Sequence, residues 1–190
     1  MIKTHRLQIR KTKAKDWKSI KEIWTDFDLS AYAKYDRPHD LSNVAVRTEV
    51  KKQCLENKRK NHLFYVVLFR QTVIGYFDFH NTGDGYDCGY CFLSSYHGKG
   101  FAREGFQTLL ELLNKKGVKK FTAGTALDNA PSVKLLLSLG FKLTGTERVS
   151  FYKDTSNAEI SFDGGRYELT PAERISISAF PSRSSAPHTI

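Results

Sequence analysis

The sequence predicts a single α/β (α+β) domain in which a mostly antiparallel sheet of six or seven strands carries helices on its faces. Apolar residues at helical spacing alternate along the chain with short strand-like segments. One such segment, residues 63–69, is apolar throughout, which is typical of a strand covered on both faces. Turn-forming residues at 81–85 separate two further strands and therefore indicate an antiparallel meander.

The first half of the chain is predicted to run strand, helix, helix and meander. Residues 5–10 form the first strand, and five apolar residues at helical spacing then predict a helix: Trp17, Ile20, Ile23, Trp24 and Phe27. A tyrosine-rich loop at 32–40 leads into a polar helix over 41–57. The meander consists of strands at 63–69, 72–80 and 87–93, with Gln71 in its first turn.

The second half is predicted to alternate helix and strand and to end in two closing strands. An amphipathic helix begins near Phe101 and ends before Gly117, and a strand follows over 119–126. Asn129 caps the next helix, which Gly140 stops. The closing strands are predicted at 141–146 and around 166–169.

The domain is predicted to span residues 1–170, because the composition becomes rich in serine and proline from Pro171 onward. We expect residues 171–190 to form a flexible C-terminal tail. The alternative is that Ile175, Ile177 and Phe180 pack onto the domain.

Composition narrows the class of protein. The chain has 190 residues and no apolar stretch near the ~20 residues that span a bilayer, so we expect no membrane association. The basic N-terminus is not followed by an apolar segment and there are only three cysteines, so we expect a cytoplasmic protein without disulfides. The net charge of +10 is scattered along the chain, which does not favour nucleic-acid binding, and monomer and homodimer both remain open.

The glycine-rich turn at residues 97–102 predicts an anion site, because it joins a strand to a helix N-terminus. The glycines allow the backbone to approach a ligand, and the first N–H groups of a helix bind phosphate. A nucleotide-binding P-loop is excluded because that motif needs a serine or threonine after its lysine, whereas Lys99 is followed by Gly100 and Phe101. A dinucleotide fingerprint is excluded because the third glycine and the downstream acid are missing.

Three segments carry a resemblance to a known family. Residues 87–90 with 97–104 resemble the acetyl-CoA-binding motif of the GNAT N-acetyltransferase superfamily, with Gly100 and Ala102 in its small positions. Residues 129–141 are similar to the family's second signature, an asparagine-initiated helix that ends in Gly-Phe. The similarity is greatest to the branch that acetylates the N-termini of ribosomal proteins.

The resemblance implies a function and a detail of the fold. It implies that the sheet is opened by one splayed parallel pair, residues 87–93 and 119–126, and that acetyl-CoA lies between those strands. It implies transfer of the acetyl group to a primary amine, either a protein or peptide N-terminus or a small amine, without a metal. A non-catalytic acyl-CoA-binding or regulatory domain is the alternative, and an RNA- or ribosome-associated factor is a third possibility.

The resemblance also assigns residues to cofactor binding. The amides of the turn would hold the pyrophosphate of acetyl-CoA, and the residues that carry them are Gly98, Lys99, Gly100, Phe101, Ala102 and Arg103. The charged side chains of Lys99 and Arg103 would lie near a phosphate. Main-chain groups of Phe92 and Leu93 would pair with the pantetheine arm on one side, and Asn129 would bond it from the other.

Three residues are expected to take part in the chemistry. Asp87 is the expected base, acting through water, although it could simply bind a turn, and His80 is a second candidate. The resemblance implies that Ser132, which matches a serine of the family branch, protonates the leaving thiolate, although it could be an ordinary first-turn serine; Leu136 occupies the place of the tyrosine that many members of the family use as the acid. Tyr152 is a further candidate from the closing strands.

Two groups of side chains are weighed against simpler roles. Tyr32, Tyr35 and Asp36 are expected to line the acceptor side, whereas His97 replaces the glutamine or arginine of the motif and is not expected to contact phosphate. Cys88 and Cys91 have redox-motif spacing but lie in a strand, where residues three apart face opposite sides. We therefore expect both thiols to be packing residues.

Overall fold

The computed structural model describes residues 1–36, 38–59, 62–153 and 159–171, and the side chains of 151–153 lie outside this description. The described residues form one sheet of eight strands with four α-helices. The strands are β1 (Ile2–Lys3), β2 (Leu7–Lys11), β3 (His62–Phe69), β4 (Thr72–Asn81), β5 (Tyr86–Phe92), β6 (Phe121–Ala126), β7 (Lys142–Lys153) and β8 (Glu159–Leu169). The helices are α1 (Trp17–Asp28), α2 (Asn43–Arg59), α3 (Phe101–Lys115) and α4 (Ala130–Ser138).

The strand order in the sheet is β1-β2-β3-β4-β5-β6-β8-β7. Strands β3, β4 and β5 form the expected meander, and only the β5–β6 pair is parallel in the described part of the sheet. The predicted mixed α/β fold is confirmed. The described sheet has eight strands where six or seven were expected, because the two-residue strand β1 is too short to give a hydrophobic pattern.

The sheet separates two hydrophobic cores. Helices α3 and α4 pack on one face, where Phe77, Phe79 and Phe106 are fully buried. Helices α1 and α2 pack on the other face, where Ile20 and Val50 are fully buried. Each such side chain stabilises the fold by about 1.5–3 kcal/mol relative to an exposed one, so burial fixes which face of every strand meets which helix.

The parallel pair diverges soon after it begins. Strands β5 and β6 pair only at Tyr86–Phe121 and Asp87–Thr122. Beyond Asp87, β5 continues its ladder with β4 while β6 continues its ladder with β8. The two strands are therefore held by different neighbours, and a gap opens between them at the centre of the sheet, as the resemblance implied.

The C-terminal part of the fold differs from the sequence expectation. Strands β7 and β8 form a hairpin that is longer than the predicted segments at 141–146 and 166–169. The part of β7 that the sequence did not predict begins at Glu147, and Glu147, Arg148 and Ser150 are exposed, so they give no apolar alternation to reveal a half-buried strand. Pro171 is described, and the remainder of the predicted tail lies outside the described residues.

The cysteine pair behaves as its spacing in a strand predicted. Cys88 is buried in the core under α3 and α4, whereas Cys91 packs in the core under α1 and α2. Both thiols are free. Burial raises the pKa of Cys88 far above its ordinary value and that of Cys91 to about 12, so neither has the thiolate character of a redox cysteine.

Candidate active site

The turn before α3 has the geometry that its glycines allow. Gly98 and Gly100 have φ values of +71° and +77°, which is the left-handed region that glycine adopts without steric cost. Gly100 is the N-cap of α3, and its C=O accepts the first helical bond from Glu104 N–H at 3.0 Å. The backbone therefore turns into the helix with its leading amides directed away from the helix body.

The leading amides of this turn are not used by the described part of the protein. Within the described residues, no oxygen accepts a hydrogen bond from the N–H groups of residues 98–103, whereas His97 N–H is used by Ser94 C=O at 3.0 Å. Five of the six residues border the cleft: Gly98, Gly100, Phe101, Ala102 and Arg103. The positive end of the helix dipole adds to this cluster of donors, so the turn can bind an anion.

The N-terminal segment braces this turn, which sequence reasoning missed. Arg6 Nε donates to Glu104 Oε2 at 2.7 Å, and its Nη1 donates to Lys99 C=O at 2.9 Å. Arg6 N–H and the Thr4 hydroxyl both donate to Glu104 Oε1. Burial acts to raise the pKa of Glu104, but these bonds outweigh it and lower that pKa. The partners are more than 90 residues apart, so no local pattern reveals the contact.

The charged side chains near the turn do different things. Lys99 Nζ donates to Ser95 C=O at 2.7 Å, so this ammonium is turned back onto the protein. His97 Nε2 lies 2.8 Å from Phe92 C=O, in agreement with the expectation that it does not serve phosphate. The Arg103 guanidinium is exposed at the cleft and has no ion-pair partner in the described ranges. Arg103 is therefore the available cation beside the amides.

The open edge of β5 presents main-chain groups to the gap. Leu93 N–H donates to Ile74 C=O at 3.0 Å, which makes this a hydrogen-bonded pair of the antiparallel ladder. Because such pairs alternate along the ladder, the main-chain N–H and C=O of Tyr90 and the N–H of Phe92 point away from β4 and toward the gap, whereas Phe92 C=O is bonded to the His97 ring. This corrects the expectation for Leu93, whose amide is occupied by the sheet, and adds Tyr90.

Helix α4 borders the other side of the gap. Asn129 Oδ1 accepts from Ser132 N–H at 3.3 Å, which is the N-cap bond expected of an asparagine at this place. The Asn129 side chain also lines the cleft. The Ser132 hydroxyl lies 2.6 Å from the phenol oxygen of Tyr90, so a hydrogen bond joins α4 to the diverging strand β5. No local pattern in the sequence indicates this pair.

Asp87 lies where β5 and β6 separate. It belongs to the last parallel pair, and its Oδ1 accepts from the Thr122 hydroxyl at 2.7 Å. His80 is its neighbour across the β4–β5 ladder. Two pairs further along the ladder lies Asp78, and His62 Nε2 lies 3.7 Å from its Oδ2. These four polar side chains border the cleft on the sheet face that carries α1 and α2.

The loop after α1 closes over this end of the cleft. Tyr35 bonds through its hydroxyl to Asp128 Oδ2 in the loop before α4, and its ring lies 4.9 Å from that of Phe162 on β8. Tyr32 and Asp36 also line the cleft. The three acceptor-side residues of the sequence analysis are thus placed together. Tyr152 lies in β7, and its side chain is outside the described part of the protein.

One continuous cleft joins these features and has a volume of about 2060 Å³. The glycine turn with Arg103 follows the C-terminal end of β5, whereas Asp87 lies near the N-terminal end of that strand and Asp78 pairs with its middle. The cleft therefore offers positive donors to one ligand and negative groups to another. An anionic donor substrate and a cationic acceptor fit this arrangement.

Comparison with known proteins decides the family. The family model described as an acetyltransferase (GNAT) domain matches residues 6–142. The chain belongs to the GNAT acetyltransferase family. This acetyltransferase is 27% identical over 149 residues to an uncharacterized N-acetyltransferase, YnaD, of Bacillus subtilis, covering 76% of this chain and 84% of that one.

Solved structures share the fold of this acetyltransferase. RimL, a ribosomal L7/L12 alpha-N-protein acetyltransferase in complex with coenzyme A, superposes with a TM-score of 0.77 at 18% identity, covering 88% of this chain and 95% of that one. A GNAT-family acetyltransferase from Bacillus anthracis gives 0.69 at 25% identity, covering 90% and 98%. The acetyltransferase is an acetyl-CoA-dependent enzyme that acts on amines, as the sequence analysis expected, and the non-catalytic alternative is not favoured.

The residues of the cleft fit acetyl-CoA. The unused amides at 98–103 suit a diphosphate, and a Cβ at Gly98 would meet no protein atom within 4 Å, which leaves that position open toward the ligand. The main-chain groups of Tyr90 and Phe92 suit the amide-containing arm.

No helix in the described residues is both long and apolar enough to span a bilayer.

Proposed function

We propose that this acetyltransferase modifies the N-terminal amine of a protein or peptide. The observation that carries the proposal is the division of one cleft into an end with unpaired amides and an end with carboxylates. An α-ammonium group is cationic until it loses a proton, so Asp78 and Asp87 attract it electrostatically in spite of the net charge of +10. The named function of the RimL structure supports the same acceptor class.

The donor is held mainly by backbone groups in this proposal. Acetyl-CoA supplies the activated acetyl group as a thioester when it is bound. The N–H groups of residues 98–103 bind its diphosphate, and Arg103 adds one positive charge at the edge of the cleft. Phe92 and Tyr90 bond its arm, and the Asn129 amide borders the arm from α4. Lys99 contributes its amide but not its ammonium, which Ser95 holds.

Asp87 is the proposed base and acts through a water molecule. Its Oδ1 is held by Thr122, which fixes the carboxylate at the opening of the gap while Oδ2 has no hydrogen-bond partner in the described residues. An α-amino group has a pKa of about 8, so only part of the acceptor needs help in losing its proton near neutral pH. His80 lies beside Asp87 and is the second candidate for this proton.

Ser132 is the proposed partner of the leaving sulfur. An aliphatic hydroxyl is a far weaker acid than a thiol, whose pKa is about 8.5, so full proton transfer to the thiolate is unfavourable. A hydrogen bond from Ser132 Oγ–H to the developing thiolate is favourable and stabilises charge where it forms. We therefore assign Ser132 as a hydrogen-bond donor instead of the acid that the sequence analysis expected.

The shape of the cleft favours a peptide terminus over a small amine. The cleft continues from Asp87 along the sheet to Tyr32 and Tyr35 under the loop, and on to Phe162 at the hairpin. A peptide would extend along these residues, whereas a small amine would occupy only the end near Asp87.

We propose that the enzyme has no nucleic-acid substrate and works as a monomer or homodimer.

The test is an assay of thiol release from acetyl-CoA with two sets of acceptors. One set contains pooled N-terminal peptides and the other contains small primary amines, with N-acetylated peptides as the matched control. We expect release with free N-termini and only the background rate with the blocked peptides. Faster turnover of small amines than of every peptide would overturn the acceptor assignment, and failure to bind acetyl-CoA would overturn the donor site. Activity that is lost steeply with added salt only in the presence of RNA would favour a nucleic-acid partner instead.

A further inference from the structure

The hydrogen bond between Tyr90 and Ser132 connects the two walls of the gap. Tyr90 belongs to β5, Ser132 belongs to α4, and both line the cleft. Their hydroxyl oxygens are 2.6 Å apart although the residues are 42 positions apart in the sequence. The tyrosine ring is fixed by packing, with Phe106 at 5.3 Å and Phe77 at 6.3 Å between ring centroids.

The direction of this hydrogen bond follows from the chemistry of its partners. A phenol is a stronger acid than an aliphatic alcohol and is therefore the better donor of the two. The Tyr90 hydroxyl also lies 3.5 Å from the backbone carbonyl oxygen of Ser132, and a carbonyl can only accept. Either hydroxyl could donate in the 2.6 Å contact, but the phenol has one proton and this contact is much shorter than the 3.5 Å contact with the carbonyl, so we assign the phenol proton to Ser132 Oγ. Burial raises the pKa of Tyr90 to about 12, so the phenol keeps its proton during catalysis.

The proton of Ser132 is left without an acceptor. Its oxygen accepts from Tyr90, so its own O–H must point elsewhere, and no acceptor for it occurs among the residues whose side chains are described. Ser132 N–H is already used by Asn129 Oδ1. A hydroxyl whose oxygen is occupied and whose hydrogen is free, on the wall of the cleft, is a donor directed at a ligand.

We propose that Tyr90 is a positioning residue for acetyl transfer, because its phenol holds Ser132 Oγ and turns the serine proton toward the departing sulfur. This inference rests on the proposed function. The bond from the acyl carbon to sulfur breaks as the bond from that carbon to the amine nitrogen forms; sulfur keeps the electron pair as a thiolate, and the proton that the nitrogen loses passes through water to Asp87. Ser132 and Tyr90 both retain their protons, and water protonates the thiolate after release.

The proposed base and the residue that positions the donor to sulfur lie on opposite faces of the sheet. Asp87 and Tyr90 are three residues apart in β5 and therefore point to opposite faces. The base thus lies on the face that carries α1 and α2, and the donor to sulfur lies on the face that carries α3 and α4. The gap between β5 and β6 is the place where groups from both faces can reach one substrate.

The test uses four variants: Tyr90→Phe, Ser132→Ala, the double variant, and Tyr86→Phe as the control. Tyr86 lies on the same face of β5, its ring is 6.2 Å from that of Phe79, and its hydroxyl has no hydrogen bond in the described part of the protein. We expect Ser132→Ala to lower kcat about 100-fold, as loss of one charge-stabilising donor does. We expect Tyr90→Phe to lower kcat about 10-fold with an unchanged KM for acetyl-CoA, and the double variant to match Ser132→Ala.

Several results would overturn the role of Tyr90. These are a wild-type kcat in Tyr90→Phe, defects that multiply in the double variant, a rise in KM instead of a fall in kcat, or an equal loss in Tyr86→Phe. The slow hydrolysis of acetyl-CoA provides a second measurement, because it breaks the same bond without an amine. If peptides fail as acceptors but Tyr90→Phe still slows hydrolysis, the acceptor assignment fails and the role of Tyr90 stands. If hydrolysis by Tyr90→Phe proceeds at the wild-type rate, the role of Tyr90 fails.

Discussion

The two ends of the cleft present different chemical groups, backbone amides at one and side chains at the other. The donor end consists of backbone amides at residues 98–103, whose placement depends on two glycines and a helix N-terminus. The acceptor end consists of side chains, such as Asp78, Asp87 and Tyr35, that come from separate elements of the fold. Backbone amides recognise a group that is common to all acyl-CoA molecules, whereas side chains can be substituted so that different acceptors are recognised. The first end is therefore visible in a local motif, and the second is not.

The largest expected effect is at the acceptor end, in Asp87→Asn. The amide retains the acceptor oxygen for Thr122 but cannot take a proton. General-base catalysis contributes about 100-fold or more, so we expect kcat/KM to fall by about that factor while KM for acetyl-CoA is unchanged. Steady-state kinetics with a peptide acceptor measures this. Asp84→Asn, in which the changed carboxylate faces Lys120 instead of the gap, is the control. An Asp87→Asn enzyme with full activity would transfer the base role to His80.

The next effect is at the donor end, in Gly98→Ala. Gly98 and Gly117 both have positive φ, and an added Cβ would meet no protein atom within 4 Å at either position. Each substitution costs about 1–2 kcal/mol of backbone strain, but only Gly98 faces the cleft. We expect KM for acetyl-CoA to rise about 10-fold in Gly98→Ala and to stay unchanged in Gly117→Ala, with similar losses in Tm. An equal KM in the two variants would place the diphosphate elsewhere.

A smaller effect is expected where a side chain supports the backbone site, in Arg6→Gln. This variant loses the ion pair with Glu104 and one bond to Lys99 C=O, so the turn is less rigidly held. We expect KM for acetyl-CoA to rise about fivefold with kcat nearly unchanged, because loss of preorganisation weakens binding without touching the chemistry. Arg10→Gln breaks a similar pair with Asp16 away from the cleft and should lower Tm only. The KM and kcat of each variant are measured by steady-state kinetics with varied acetyl-CoA, and Tm is measured by thermal denaturation.

The smallest effect is expected in Tyr35→Phe. The variant loses the hydroxyl bond to Asp128 but keeps the ring contact with Phe162. A single net hydrogen bond is worth about 1 kcal/mol, so KM for a peptide acceptor should rise about threefold while KM for acetyl-CoA is unaffected. Tyr32→Phe is the control, since its hydroxyl has no hydrogen-bond partner in the described ranges. A change in the KM for acetyl-CoA would show that the loop also contributes to the donor end.

Local sequence patterns were sufficient to predict those features of the molecule that depend on residues adjacent in the sequence. The glycine turn, the asparagine cap of α4 and the opposite faces of Cys88 and Cys91 are such parts. Patterns failed where exposure removes the hydrophobic period, as in β7, and where the register of a ladder decides which amide is free, as at Leu93. The roles of the site residues stay predictions until they are tested.

The sequence by itself determined the mixed α/β fold and the glycine turn before α3, because backbone freedom, helix capping and apolar spacing are properties of adjacent residues. The family followed from the resemblance of two motifs. Only the tertiary structure decided that Arg6 braces the turn, that Asp87 is the last paired residue before β5 and β6 separate and bonds to Thr122, and that Tyr90 meets Ser132. These contacts join residues that are 35 to 98 positions apart. Their existence depends on how two cores pack against one sheet, and that packing is a property of the whole molecule.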